Sequence, residues 1–136
     1  MFRFNVPHSI QNYSLRALQA AVEMRDEFER IKASWSDSGF PVSPTFTRIG
    51  VASGELTEAI MGHPQYQTLT VMGEPVVIAA NLCSGSPRDR NIVVIDQATQ
   101  QGLEGKLVVK PLAQSVLRKI KGSPVAGYEL IDVKRL

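Results

Sequence analysis

The sequence predicts an α+β or α/β fold built on a mixed sheet. Three features carry this: a long amphipathic segment near the start, several short runs of β-forming residues cut by Gly and Pro, and an apolar run over residues 91–95 that suits a buried strand. At 136 residues, 43% hydrophobic and 21% charged, the chain has the size of one domain and is long enough to bury a core. Residues 1–136 are therefore read as a single domain.

Phe2, Phe4 and Val6 alternate with Arg3 and Asn5, a strand pattern that stops at Pro7. From residue 9 to 35 the period becomes helical. Ala17, Ala21, Met24, Phe28, Ile31 and Trp35 recur at helical spacing, widened by Leu18 and Val22, so this stripe, Phe28 and Trp35 included, is expected to face the core. The opposite face carries Arg25, Asp26, Glu29, Arg30 and Lys32, with Asp26 and Arg30 at the supportive i,i+4 spacing. Residues 36–44, rich in Ser, Gly and Pro, form a loop. A strand over 45–53 ends at Gly54, and 56–61 reads as a helical turn. Residues 66–72 make a second strand, paired hairpin-fashion with 45–53 and broken by Gly73. Glu74-Pro75 then opens a helix over 76–83, with Pro where its missing N–H costs nothing. After a loop, strand 91–95 leads to Asp96, the N-cap of a helix over 97–101. Strands over 106–110, 115–120 and 125–132 close the chain, separated by Pro111 and by Gly122-Ser123-Pro124.

Composition excludes several function classes. No apolar run approaches the ~20 residues of a membrane span, and the first residues lack the layout of a signal peptide, which points to a cytoplasmic protein. Cys83 is the single cysteine, and with only His8 and His63 beside it no zinc cluster can be drawn. Both histidines sit next to Pro without an acidic orienter and read as solvated turn residues; Cys83 reads as a small hydrophobe on a helix face. The net charge of +2 divides unevenly: residues 1–105 hold 8 basic and 11 acidic side chains, residues 106–136 hold 7 and 2. That basic tail is either a solvated strand face or a phosphate-attracting surface. Aromatics do not interleave with its cations, so nucleic acid is not expected as a partner. No phosphate-binding Gly-rich loop, nucleophile elbow or zincin motif occurs.

Arg48-Ile49-Gly50-Val51-Ala52-Ser53-Gly54-Glu55, then Met61-Gly62, then the run from Leu69 to Leu82 through Val71-Met72-Gly73-Glu74-Pro75-Val76-Val77, resembles the heart of the class III adenylyl/guanylyl cyclase catalytic domain. That family reads R-I-G-I-H-x-G-E, then I-G, then Y-T-V-I-G-D-x-V-N-x-A-A-R-L. The helix around Ala17 to Met24 is similar to the family's long helix. Ile120-Lys121-Gly122 followed by Gly127-Tyr128-Glu129-Leu130 resembles its closing hairpin.

The resemblance implies a ferredoxin-like mixed sheet with flanking helices, here the C-terminal two-thirds of a cyclase domain without the first two family strands. It also implies the conversion of ATP or GTP to a cyclic nucleotide and pyrophosphate in signal transduction, with magnesium or manganese in an intact member. The departures bear on activity. The family's two metal-holding aspartates would lie before Met1, so no metal ligand and no cofactor is expected in this chain. The family's Asn and Arg positions are Val77 and Asn81, which can supply neither a hydrogen bond to ribose nor a positive charge to the transition state. A lost charge of that kind costs ~3–4 kcal/mol, so the isolated chain is expected to be inactive. No residue is therefore assigned as catalytic. Thr70 stands where the family sets base preference, and its hydroxyl suits either purine. Lys121 matches the lysine that meets the terminal phosphates, and is either that contact or an exposed strand lysine. Thr70 and Lys121 are the candidate nucleotide-binding residues.

The first cytosolic half of vertebrate adenylyl cyclases also lacks the Asn and Arg and receives them from its partner half. Expected partners are accordingly a second copy in a homodimer or a complementary cyclase half, with ATP or GTP as ligand. In the family sheet the first strand lies between the third and fourth. Without it the remaining strands close up, or another chain pairs with them, and a rearranged sheet or a homodimer joined through strand or helix faces is expected. The alternatives are a non-catalytic regulatory or dimerisation module of cyclase type, and an unrelated ferredoxin-like assembly domain.

Overall fold

The structure, a computed structural model, describes the chain apart from residues 7, 43–44, 113–118, 121–122, 125 and 135–136. A four-stranded sheet carries the fold, in the order β1 (Arg48–Val51), β4 (Ile92–Asp96), β8 (Gly127–Val133), β5 (Leu107–Pro111). β1 and β4 run parallel, with Arg48 opposite Ile92 and Val51 opposite Ile95; the β4–β8 and β8–β5 pairs are antiparallel. This is the mixed sheet with flanking helices that the sequence predicts.

β4 explains where the core lies. All five of its residues are buried, because both faces of the strand are covered. On one face Val93 and Ile95 meet Leu18, Ala21 and Val22 of α1 (Tyr13–Asp37), together with Leu130 and Val133 of β8. On the other, Ile92 and Val94 meet Leu82 of α2 (Glu74–Gly85), with Ile78 and Leu112 alongside. Alternation along one strand thus divides the apolar residues between two helix-covered layers. Asp96 ends β4 and caps α3 (Gln97–Gln100) through its side chain, as its position in the sequence predicts.

Several expectations need correction. Residues 2–6 form no strand: Asn5 takes the left-handed conformation at φ 69°, and its side chain accepts the Ile10 N–H at 2.7 Å, which turns the chain away from any sheet. Arg3 instead makes an ion pair with Glu58. Residues 56–61 are not a helical turn but supply β2 (Thr57–His63), which pairs antiparallel with β3 (Tyr66–Met72) through the tight turn at Pro64 and Gln65. The hairpin partner of β3 is therefore β2, and strand 45–53, shortened to β1, pairs with β4. A short apolar run has no period long enough to tell turn from strand, and here the available neighbour decides.

The α1 stripe is only partly core. Trp35 is 60% exposed, Met24 45% and Ile31 41%. At 1.5 Å per residue a helix of 25 residues is about 37 Å long, more than the roughly 15–25 Å of the sheet in either direction, and its buried residues, Leu18, Ala21 and Val22, lie in the N-terminal half. The tail ends in β8 and in the short pair β6 (Lys119–Ile120) and β7 (Ser123–Pro124); most of the strand expected over 115–120 lies outside the described residues.

The strands close up, one of the two outcomes expected: β1, β4, β8 and β5 are contiguous, and among the described residues β1 pairs with β4 alone.

Candidate functional site at the carboxyl ends of the parallel strands

β1 and β4 are parallel, so their carboxyl ends lie together, and the start of α2 joins them there. In open α/β sheets such an end, where a helix begins, is the usual place for a ligand crevice. Gly73, between β3 and α2, has φ 153° and packs so closely that an added Cβ would meet the Glu55 carbonyl oxygen at 2.6 Å. That contact fixes the first turn of α2 against the segment leaving β1. At its other end α2 is held by Arg48, whose Nη1 lies 3.3–3.5 Å from the carbonyl oxygens of Cys83, Ser84 and Ser86. The guanidinium there satisfies carbonyls that a helix end leaves unpaired.

A polar chain stands at these strand ends, with Asp96 and Thr99 buried and Ser53 half-buried. The Asp96 carboxylate accepts the Thr99 N–H at 2.9 Å and also the Thr99 hydroxyl. Ser53 and Thr99 hydroxyl oxygens are 2.9 Å apart. Since Thr99 has spent its one proton on Asp96, Ser53 donates to Thr99. Ser53 thus keeps lone pairs for an incoming donor, and among the described residues its hydroxyl meets Thr99 and no base. Sequence reasoning found Asp96 as a cap but missed Ser53; only the parallel register of β1 and β4 brings the two together.

Val77 and Asn81 lie one turn apart on α2. Val77 is 50% exposed, and the Asn81 side-chain amide donates to the Val77 carbonyl at 2.8 Å. Thr70 is half-buried near the end of β3, opposite Ala59, with its hydroxyl 3.5 Å from the Thr68 carbonyl. Lys121 lies outside the described residues. His8 and His63 are exposed, and the Cys83 thiol donates to the Arg48 carbonyl at 3.2 Å. On the α2 side of the sheet, the buried Glu129 carboxylate receives Arg90 Nε at 3.0 Å and Nη2 at 3.4 Å. That bond holds the Arg90 guanidinium above its ordinary pKa, against the opposing effect of burial.

Two-metal chemistry requires a cluster of oxygen ligands. Among the described residues no three Asp, Glu, His or Cys side chains come together to hold a cation, and the Asp96 carboxylate is already engaged. These residues do not fit a magnesium or manganese site. Among them no helix is long and apolar enough to cross a membrane.

The fold is that of adenylyl and guanylyl cyclase catalytic domains. The adenylyl cyclase CyaB from P. aeruginosa superposes with a TM-score of 0.82 at 22% identity, over 97% of this chain and 66% of that one. The guanylyl cyclase Cya2 gives 0.75 at 21%, over 96% and 64%. The guanylate cyclase domain of RhGC from Catenaria anguillulae, in complex with GTP, gives 0.69 at 20%, over 97% and 66%. The chain thus spans just under two thirds of the length of the chains it matches. No protein-family model matches it, and neither does any curated protein.

Proposed function

We infer that the chain is a nucleotide-cyclase-type module that makes no cyclic nucleotide by itself and acts with a partner that completes the site. One observation carries this reading. Where the resemblance calls for Asn and Arg on α2, Val77 presents a half-exposed aliphatic side chain, and the Asn81 amide is turned back onto its own helix. Val77 has no polar group to offer, and Asn81 brings no positive charge to a phosphate. The parent reaction converts ATP or GTP to a cyclic nucleotide and pyrophosphate, and its metal ligands are not gathered among the described residues. The GTP held by the RhGC domain supports a nucleotide as ligand of this fold. Thr70 and Lys121 remain the residues proposed to meet it.

A second reading, a non-catalytic dimerisation or regulatory module, is favoured by the β2–β3 hairpin. There Ile60 (69% exposed) stands opposite Leu69 (51%), and Tyr66 is 79% exposed. Apolar side chains on an exposed hairpin mark a contact surface.

The test is a cyclase assay with Mn-ATP and Mn-GTP, using the chain alone and mixed with an intact domain such as that of CyaB. No product from the chain alone and altered output from the mixture are expected. Product from the isolated chain overturns the inactivity. No effect on the intact domain, together with no nucleotide binding by calorimetry, overturns the cyclase reading.

A further inference from the structure

α2 lies on a floor of two unlike halves. Ile49 and Val51 of β1 pack into the α1 layer, so by alternation Arg48 and Gly50 face α2. Their partners across the parallel ladder are Ile92 and Val94 of β4, which meet Leu82 with Ile78 alongside. On the β4 half the helix therefore rests on apolar side chains. On the β1 half it meets bare backbone at Gly50 and a cation at Arg48.

Gly50 lets the helix approach but has no side chain to hold it. Arg48 supplies one: Nη1 reaches the carbonyl oxygens of Cys83, Ser84 and Ser86 at 3.3–3.5 Å, and the Arg48 carbonyl accepts the Cys83 thiol at 3.2 Å. Among the described residues Arg48 makes no ion pair, so its charge is given to the negative end of the helix.

The order of residues along α2 makes this asymmetry matter at the site. Three neighbouring i,i+4 lines run along the helix: Ala79 with Cys83 against β1, Ile78 with Leu82 against β4, and Val77 with Asn81 beyond them. Successive lines are about 100° apart, so the first and the last flank the apolar line on opposite sides. Whatever lifts Ala79 and Cys83 from β1 tips Val77 and Asn81 the other way.

We propose, on the reading that the Val77 and Asn81 face looks toward the nucleotide, that Arg48 is a positioning residue for that face: its grip on the C-terminal end of α2 sets the rotation of the helix about its apolar contacts with β4. Those contacts are non-directional and hold the helix at more than one rotation. A planar guanidinium shared among three carbonyls selects one.

Residual dipolar couplings of the backbone N–H and Cα–Hα bonds, measured on the full chain without nucleotide, report how α2 is set relative to the sheet. One alignment frame is expected to fit both in the unaltered chain. In Arg48→Met, which keeps an aliphatic stem and removes the donors, the sheet keeps its frame and α2 departs from it; in Arg48→Lys, which keeps a cation, the shared frame is retained. A shared frame in Arg48→Met overturns the proposal and leaves Arg48 a contributor to stability alone. Loss of the folded state in Arg48→Met also overturns it, because the contacts with β4 would then not hold the helix, and so does an equal departure in Arg48→Lys. No nucleotide enters this measurement, so failure of the chain to bind one counts against the nucleotide reading and is told apart from failure of the positioning role.

Discussion

A Cβ placed on Gly50 would stand 2.2 Å from the carbonyl oxygen of Ala79, and 2.9 Å from the amide nitrogen of Cys83. The backbone of β1 therefore lies directly against the backbone of α2, and Gly50 is the position that permits it. Side chains cannot yield there, because the obstacle is main chain.

Gly50→Ala is accordingly expected to push α2 off the sheet and to destabilise the protein by about 1–3 kcal/mol, the usual cost of overpacking. Urea denaturation reads this as a lower midpoint. An unchanged midpoint would mean that α2 does not seat on β1.

Asp96→Ala removes the cap of α3 and leaves the buried Thr99 hydroxyl and N–H without their acceptor. A loss of about 1–3 kcal/mol is expected, with faster hydrogen exchange at the Thr99 amide. Ser53→Ala removes only the outer donor of the same chain and should cost less, about 0.5–1.5 kcal/mol. Equal losses in the two variants would contradict the direction assigned to the chain.

Leu18 and Trp35 lie on the same helix and make opposite predictions. Leu18 is fully buried in the cluster between α1 and the sheet, so Leu18→Ala should cost about 2–5 kcal/mol. Trp35 is 60% exposed in the C-terminal half of α1, and Trp35→Ala should change stability by less than about 0.5 kcal/mol. Thermal midpoints of the two variants decide the matter. A large loss at Trp35 would show its indole to be covered in solution.

Much of the fold was legible in the residues themselves. α1, β3 and β4 follow from period and composition, and α2 from Gly73 followed by Pro75 near the first turn; each is fixed by local chemistry. The misreadings share one cause. From residue type alone β2 reads as a helical turn and residues 2–6 as a strand, because a short segment becomes a strand only when another strand lies beside it. At the site, Asp96 was recognisable as a cap, but its link through Thr99 to Ser53 joins residues far apart in the chain.

The sequence by itself determined the period of each long segment and the breaks between segments, and placed Val77 and Asn81 one turn apart on α2, since these depend on residue type and spacing. Only the tertiary structure decided which apolar residues are covered, which strands pair, and that Gly50 seats β1 against the backbone of α2. The physical reason is that burial and strand pairing are properties of neighbours. A helix about 37 Å long on a sheet of roughly 15–25 Å in either direction leaves part of its apolar stripe uncovered, and that mismatch is written in no one segment.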